Sequence, residues 1–202
     1  MQFLKYRKFH NVELFRFGYS PIGKPLMSVY CFLIDNVLID TAQANCQEKV
    51  LETFRTRQID KILLTHWHED HSGNTASLAN QHKSKVFAHE FTQQKIQEGF
   101  KILPYEKFLF GQIKPYQGKV EAFSDIIETE KHKLTPIHTP GHAIDHTVFL
   151  EKMKVGYFRE ICLSESKLGF FGRTNDSGSR SNLSKKYCNT ILMCYFAGII
   201  RD

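Results

Sequence analysis

Thr65-His66-Trp67-His68-Glu69-Asp70-His71-Ser72-Gly73-Asn74 places three histidines and an aspartate within six residues, His66 to His71. The stretch directly follows Asp60 to Thr65, whose centre, Lys61-Ile62-Leu63-Leu64, reads as a short strand covered on both faces. His66 to Gly73 is too polar to continue that strand, so its side chains are held at a strand end, where function commonly sits. In an extended backbone, residues two apart point to the same side, so His66 and His68 can grip one cation together. A turn after Glu69 would let Asp70 and His71 face a second cation. Imidazole and carboxylate suit zinc, and also iron or manganese. A lone histidine is usually a satisfied core or surface residue, and His10, His82, His89 and His132 are read that way; the cluster is not.

A second segment, Ile137-His138-Thr139-Pro140-Gly141-His142-Ala143-Ile144-Asp145-His146, supplies another histidine. Its Pro-Gly pair forces a turn and lets backbone approach closely, which suits delivering His142 to a site formed elsewhere in the chain.

Outward from these two segments, the chain alternates helices and strands early and favours short strands later. Met27 to Ile34 is β-rich, and Asp35-Asn36 turns it into Val37 to Asp40 as a hairpin; Val12 to Phe17 reads as an earlier strand. Val50, Leu51 and Phe54 give Gln43 to Arg57 the pattern of an amphipathic helix. Asn74 to His82 and Glu90 to Phe100 read as further helices, with Lys85 to Ala88 a strand between them. Val120 to Phe123, Asp125 to Glu128, Lys133 to His138 and Thr147 to Leu150 read as strands. Two sheets flanked by helices follow from this order. The aromatic stretch Gly99 to Tyr116 is a candidate apolar rim, though a core or dimer contact would use the same residues.

The two histidine segments resemble the signature motifs of the metallo-β-lactamase superfamily, in the branch with glyoxalase II and lactonases, and the likeness runs from the Tyr30 to Thr41 hairpin through Leu150. The resemblance implies an α/β (α+β) fold, a four-layer αββα sandwich with the metals at one edge of the sheets. It implies that His66, His68 and His142 hold a first zinc, that Asp70 and His71 contribute to a second, and that Asp40 supports the site; a simple turn aspartate is the competing reading. The implied chemistry is hydrolysis of a small carbonyl substrate (thioester, lactone, ester or amide) by metal-bound hydroxide, with Asp70 orienting the hydroxide and shuttling its proton. Glu69 is expected to point outward, and Trp67 to wall the site or pack beneath it.

Two expected family residues are missing: a bridging aspartate in a Gly-Asp step after the second motif, and a last histidine, since none follows His146. Glu160 stands roughly where the aspartate belongs, and is a doubtful metal ligand. The division drawn is a domain over 1–152 and an atypical tail over 153–202. Were Lys154 to Cys162 encoded AAG GTT GGT TAT TTT CGG GAG ATT TGT, the neighbouring frame would read Gly-Trp-Leu-Phe-Ser-Gly-Asp-Leu, which contains the missing step. A frame change near residue 152 is therefore one expectation, testable on the gene, with impaired activity as its consequence.

Composition narrows the rest. The chain has 202 residues, 42% hydrophobic and 24% charged, as expected of one soluble globular domain. Its net charge of +6 is concentrated in the tail: residues 1–151 carry 18 basic against 17 acidic side chains, so nucleic-acid binding is not expected. No segment reads as a membrane span or signal peptide, and a cytoplasmic location is the default. The five cysteines form no CxxC pair, which argues against a disulfide framework or a cysteine zinc site. Alternatives of other classes are an iron oxidoreductase of the same fold and a metal-binding, catalytically impaired homologue. The expected partner is a small-molecule substrate; the oligomeric state is open.

Overall fold

The computed structural model describes residues 1–9, 11–25, 27–99 and 102–151, and the backbone of 161–163. His10, Phe100 and Glu160 lie outside the described residues, as does the tail apart from that last strand.

The N-terminal half of the first sheet is an antiparallel meander. Strand β1 (Gln2–Phe9) pairs along its whole length with β2 (Val12–Tyr19), which pairs with β3 (Ser28–Ile34), and a turn at Asp35-Asn36 leads into β4 (Val37–Ile39). Asp35 carries the positive φ of that turn, +50°, a conformation that aspartate tolerates better than most residues. From β4 the sheet becomes parallel, through β5 (Lys61–Leu63), β6 (Lys85–Phe87) and β7 (Val120–Glu121). Parallel neighbours require crossovers, and α1 (Gln47–Phe54), α2 (Glu69–Ser72), α3 (Thr75–His82), α4 (Glu90–Glu98) and α5 (Pro104–Phe110) lie within them. The second sheet is antiparallel, in the order β11 (Ile161–Leu163), β10 (Thr147–Glu151), β9 (Lys133–His138), β8 (Ile127–Glu128).

Alternation along the strands separates two cores. Phe15, Phe17, Leu38, Ile62 and Leu64 pack with Val50 and Phe54 of α1, Leu78 of α3 and Ile96 of α4. Leu14, Ile34, Val37, Ile39 and Leu63 instead meet Ile127, Leu134 and Phe149 of the second sheet. Leu63 thus points away from its neighbours Ile62 and Leu64, as a strand covered on both faces requires. Truncating such a buried residue is costly: Phe54 has no exposed surface, meets Phe15 edge-on at 4.9 Å, and its replacement by alanine is worth about 3–5 kcal/mol. These are the helix, sheet and sheet layers of the αββα architecture expected. Among the described residues no helix is long and apolar enough to cross a membrane.

Several boundaries differ from the sequence-based expectation. β1 was not anticipated, because no residue of Gln-Phe-Leu-Lys-Tyr-Arg-Lys-Phe is buried and it forms the outer strand of the sheet, where burial leaves little pattern. α5 was not anticipated either. It starts at Pro104 with the Leu103 N–H donating to Glu106 Oε2 at 2.7 Å, while Leu103, Tyr105 and Phe108 stay exposed. The β7 and β8 strands are shorter than read, and Gln43 enters α1 through one 3₁₀ turn, Ala44–Cys46. Three residues from beyond 152, Ile161–Leu163, extend the second sheet against β10.

Candidate metal centre

The site forms where the parallel strands β4 and β5 end side by side, with the Asp40 N–H donating to Leu63 O at 2.9 Å. Asp40 follows β4 with φ +60° and is 1% exposed. Its Oδ1 accepts from Thr65 N at 2.8 Å, and its Oδ2 accepts from Thr65 Oγ1 at 2.8 Å and from His71 Nδ1 at 2.7 Å. Both readings of this residue therefore hold: it makes a turn, and it braces a site histidine. A carboxylate that accepts at Nδ1 places the ring proton there and leaves the Nε2 lone pair of His71 on the opposite side.

The turn itself is held by Asn74, whose Nδ2 donates to Thr41 O, Ala42 O and Gln43 O at 2.8, 3.1 and 2.9 Å. Thr41 N donates to His71 O at 2.7 Å. Gly73 completes the contact: a Cβ there would lie 2.6 Å from Ala44 N and 2.7 Å from Ala42 O. The Gly-Asn step after the histidine cluster thus lets two backbone segments touch.

His66 continues from β5 and is fully buried, whereas His68 is the extended residue that starts α2, with φ −53° and ψ 148°. The short helix turns the chain where the sequence predicted a turn, so Asp70 and His71 come round beside His66. The His66 and His71 rings lie 4.2 Å apart, and His71 Nε2 is 3.8 Å from Asp70 Oδ2. Ser72 Oγ locks the turn by donating to Trp67 O at 2.8 Å and His68 O at 3.0 Å.

His142 arrives from the β9–β10 connection. His68 Nδ1 and His142 Nε2 are 3.1 Å apart, and one ligand atom from each of His66, His68 and His142 lies within 4.8 Å of the others. Tetrahedral ligation at about 2.1 Å would set such nitrogens about 3.4 Å apart, so the His68–His142 spacing already suits a shared cation and the group as a whole would contract around one. His66 Nδ1 contacts Thr65 Oγ1 at 3.0 Å, while its Nε2 is buried without a hydrogen-bond partner. A buried polar nitrogen left open beside two other imidazoles fits a cation, a bound ion being one of the roles such an orphan serves. Burial, then repulsion from the neighbouring imidazoles, lowers the pKa of His66 far below the usual histidine value; burial and His142 lower that of His68. Both rings are thereby held neutral, the form that binds metal.

Two residues of the second motif were not singled out from sequence. His146 is 5% exposed, its ring 5.3 Å from that of His66, with Nδ1 against Thr139 Oγ1 at 2.9 Å. Burial, then His142, lowers its pKa to about 4. Asp145 is fully buried and reaches Trp67 N. Their position four residues or fewer after His142 was visible; their inward direction was not.

Other expectations resolve individually. Glu69, expected to face outward, is half-buried, and that burial raises its pKa. The Trp67 ring packs 4.7 Å from that of His68, with Lys95 Nζ 5.9 Å from its centre. His89 accepts from Phe91 N at the start of α4 and stacks on His138 at 4.7 Å. His132 bridges Glu151 and Asp35 at the opposite end of the second sheet. Glu160 is outside the described residues.

Known proteins resemble the chain over this same region. A thioesterase, pkgB, of Emericella nidulans is 27% identical over 141 residues, 66% of this chain and 35% of its own length. The lactamase-like protein notP of an Aspergillus species is 28% identical over 133 residues, 61% of this chain and 34% of its own length. The alignments span about a third of these curated relatives. Among solved structures, the subclass B3 metallo-beta-lactamase BJP-1 of Bradyrhizobium japonicum superposes with a TM-score of 0.58 at 20% identity, covering 90% of this chain and 69% of that one. The sequence profile of the metallo-beta-lactamase superfamily matches residues 25–156, from the β3 hairpin through both histidine motifs. With that match over more than half its length, the chain belongs to the metallo-beta-lactamase superfamily.

Proposed function

We propose that the protein is a metal-dependent hydrolase, with zinc as its ion and an acyl thioester as its substrate class. The observation that carries this is the convergence of His66, His68 and His142 around the orphaned Nε2 of His66. The superfamily membership supports hydrolysis, and the names of relatives such as pkgB favour the thioester among the carbonyl substrates.

A bound divalent ion supplies Lewis acidity toward a carbonyl oxygen and toward water. The chain's part is to orient and to move protons. His66, His68 and His142 present imidazole nitrogens within 4.8 Å of one another. Asp70, only 16% exposed in its side chain and beside His71 Nε2, would take the proton of the attacking water on a carboxylate oxygen and return it to the leaving thiolate. His71, fixed by Asp40, offers Nε2 on the same side and, with Asp70, forms the start of a second cation position. His142 is exposed, so a substrate reaches the cluster from its side of the site.

The test is elemental analysis of protein purified without chelator, joined to turnover of a short panel of acyl thioesters, with His66→Ala as control. Bound zinc and chelator-sensitive turnover, both lost in the variant, are expected. Iron as the bound metal, or zinc without hydrolysis of any thioester, would overturn the assignment.

A further inference from the structure

His142 reaches the cluster from 74 residues beyond His68, on a connection between two strands of the other sheet. Ligand atoms must be held to about 0.5 Å for a metal site to work, so something has to fix that connection to the His66–His68 segment. At its base, Thr147 N donates to Thr65 O at 2.8 Å. Nearer the ligands, the only side chain of the connection for which a bond to the His66–His68 backbone is described is Asp145.

Asp145 is fully buried, and its Oδ2 accepts from Trp67 N at 2.9 Å and from Thr92 Oγ1. Trp67 sits between the two ligands, so fixing its N–H fixes the peptide that spaces His66 from His68. Thr92, also without exposed surface, belongs to α4 and ties the same oxygen to the helical layer. One carboxylate oxygen therefore joins the His142 connection, the His66–His68 segment and α4. The other oxygen, Oδ1, is buried without a hydrogen-bond partner. The carboxylate is therefore held in place by the two donors on Oδ2 at the cost of desolvating its other oxygen.

We infer that Asp145 is a positioning residue of the metal centre, setting the distance between His142 and the His66–His68 pair by holding the Trp67 N–H. The inference rests on the proposed metal site, and it assigns Asp145 no contact with the ion. Outer partners of metal ligands typically change affinity by about 10- to 100-fold when removed.

The experiment measures zinc affinity of the full chain by competition with a chromophoric chelator, in wild type, Asp145→Ala, Asp145→Asn and Thr92→Val. The visible spectrum of the cobalt-loaded proteins and the melting temperature of the metal-free proteins are recorded alongside. Asp145→Ala is expected to bind zinc about 10- to 100-fold more weakly with an altered cobalt spectrum. Asp145→Asn, which keeps an acceptor for Trp67 N–H and Thr92, should return to within about threefold of wild type. A merely structural role would lower the melting temperature of Asp145→Ala and leave affinity and spectrum unchanged, and that result overturns the inference. Should Asp145→Ala not fold, Thr92→Val decides: a weaker zinc affinity supports the assignment and an unchanged one refutes it. If the wild type itself binds no zinc, the metal reading fails first, which separates the two.

Discussion

Replacing Asp40 tests the support of the site from beneath, and two substitutions separate its parts. Asp40→Ala removes an acceptor for three donors: Thr65 N, Thr65 Oγ1 and His71 Nδ1. The Thr65 hydroxyl cannot turn to donate to His66 Nδ1, 3.0 Å away, because that nitrogen carries the ring proton when Nε2 is open to a cation, so Thr65 N, Thr65 Oγ1 and His71 Nδ1 all lose the acceptor that Asp40 gave them. At about 1–3 kcal/mol for each buried donor left unpaired, the variant should lose about 3 kcal/mol or more of stability, a large share of a typical 5–15 kcal/mol. Asp40→Asn tests the proton on His71. Asparagine tolerates the positive φ and its carbonyl can still accept from Thr65 N, but its NH₂ faces His71 Nδ1. To bond it, His71 must give up the Nδ1 proton and carry one on Nε2, the nitrogen beside Asp70. The asparagine variant should therefore lose only about 1–3 kcal/mol while weakening metal binding at the Asp70–His71 position by about 10- to 100-fold. Urea unfolding gives the stabilities, and metal titration followed by ring-proton chemical shifts of His71 gives the tautomer. A loss below about 0.5 kcal/mol in Asp40→Ala, or an Nδ1–H tautomer retained in Asp40→Asn, would refute the reasoning.

Two further substitution and labelling outcomes follow from the packing. Gly73→Ala places a methyl group 2.6 Å from Ala44 N and 2.7 Å from both Ala42 O and Glu69 O, so it must displace the turn that carries Asp40; a fall of more than about 2 kcal/mol in urea unfolding is expected, and tolerance would contradict the close approach. Cys46 is fully buried, and burial pushes its thiol pKa up to about 12, so it should resist alkylation at pH 8 in the native protein and react readily in urea; equal rates would disprove its burial. The sign of the linkage is fixed by that raised pKa. Above about pH 9 the unfolded chain releases a proton that the folded chain retains, so the Cys46 contribution to stability declines as pH rises through that range.

The histidine cluster was legible because its evidence is local: the spacing of His66, His68, Asp70 and His71 is itself the pattern from which a metal site was expected, and the apolar run before it declares the strand that holds it. The hairpin at Asp35-Asn36 and the helices around Phe54 and Leu78 were legible for the same reason, since periodicity and turn chemistry are written along a short stretch. What stayed hidden depends on partners far along the chain. Asp145 reads as an ordinary polar residue until Trp67 and Thr92 are found against it. Asp40 was ambiguous because the same residue makes the turn and bonds His71. β1 and α5 escaped notice because each leaves much of its surface to solvent, so burial imposes little order on its sequence.

The connection of Thr147 N to Thr65 O, together with the contact between His68 and His142, means that the cluster is a joint between the two sheets. A cation ligated across that joint would close a loop of 74 intervening steps, comparable in chain entropy to a cross-link worth about 4 kcal/mol. A cation held by the cluster would therefore report on assembly: a chain whose second sheet has not docked cannot bring His142 to His66, and would not retain the ion with full affinity.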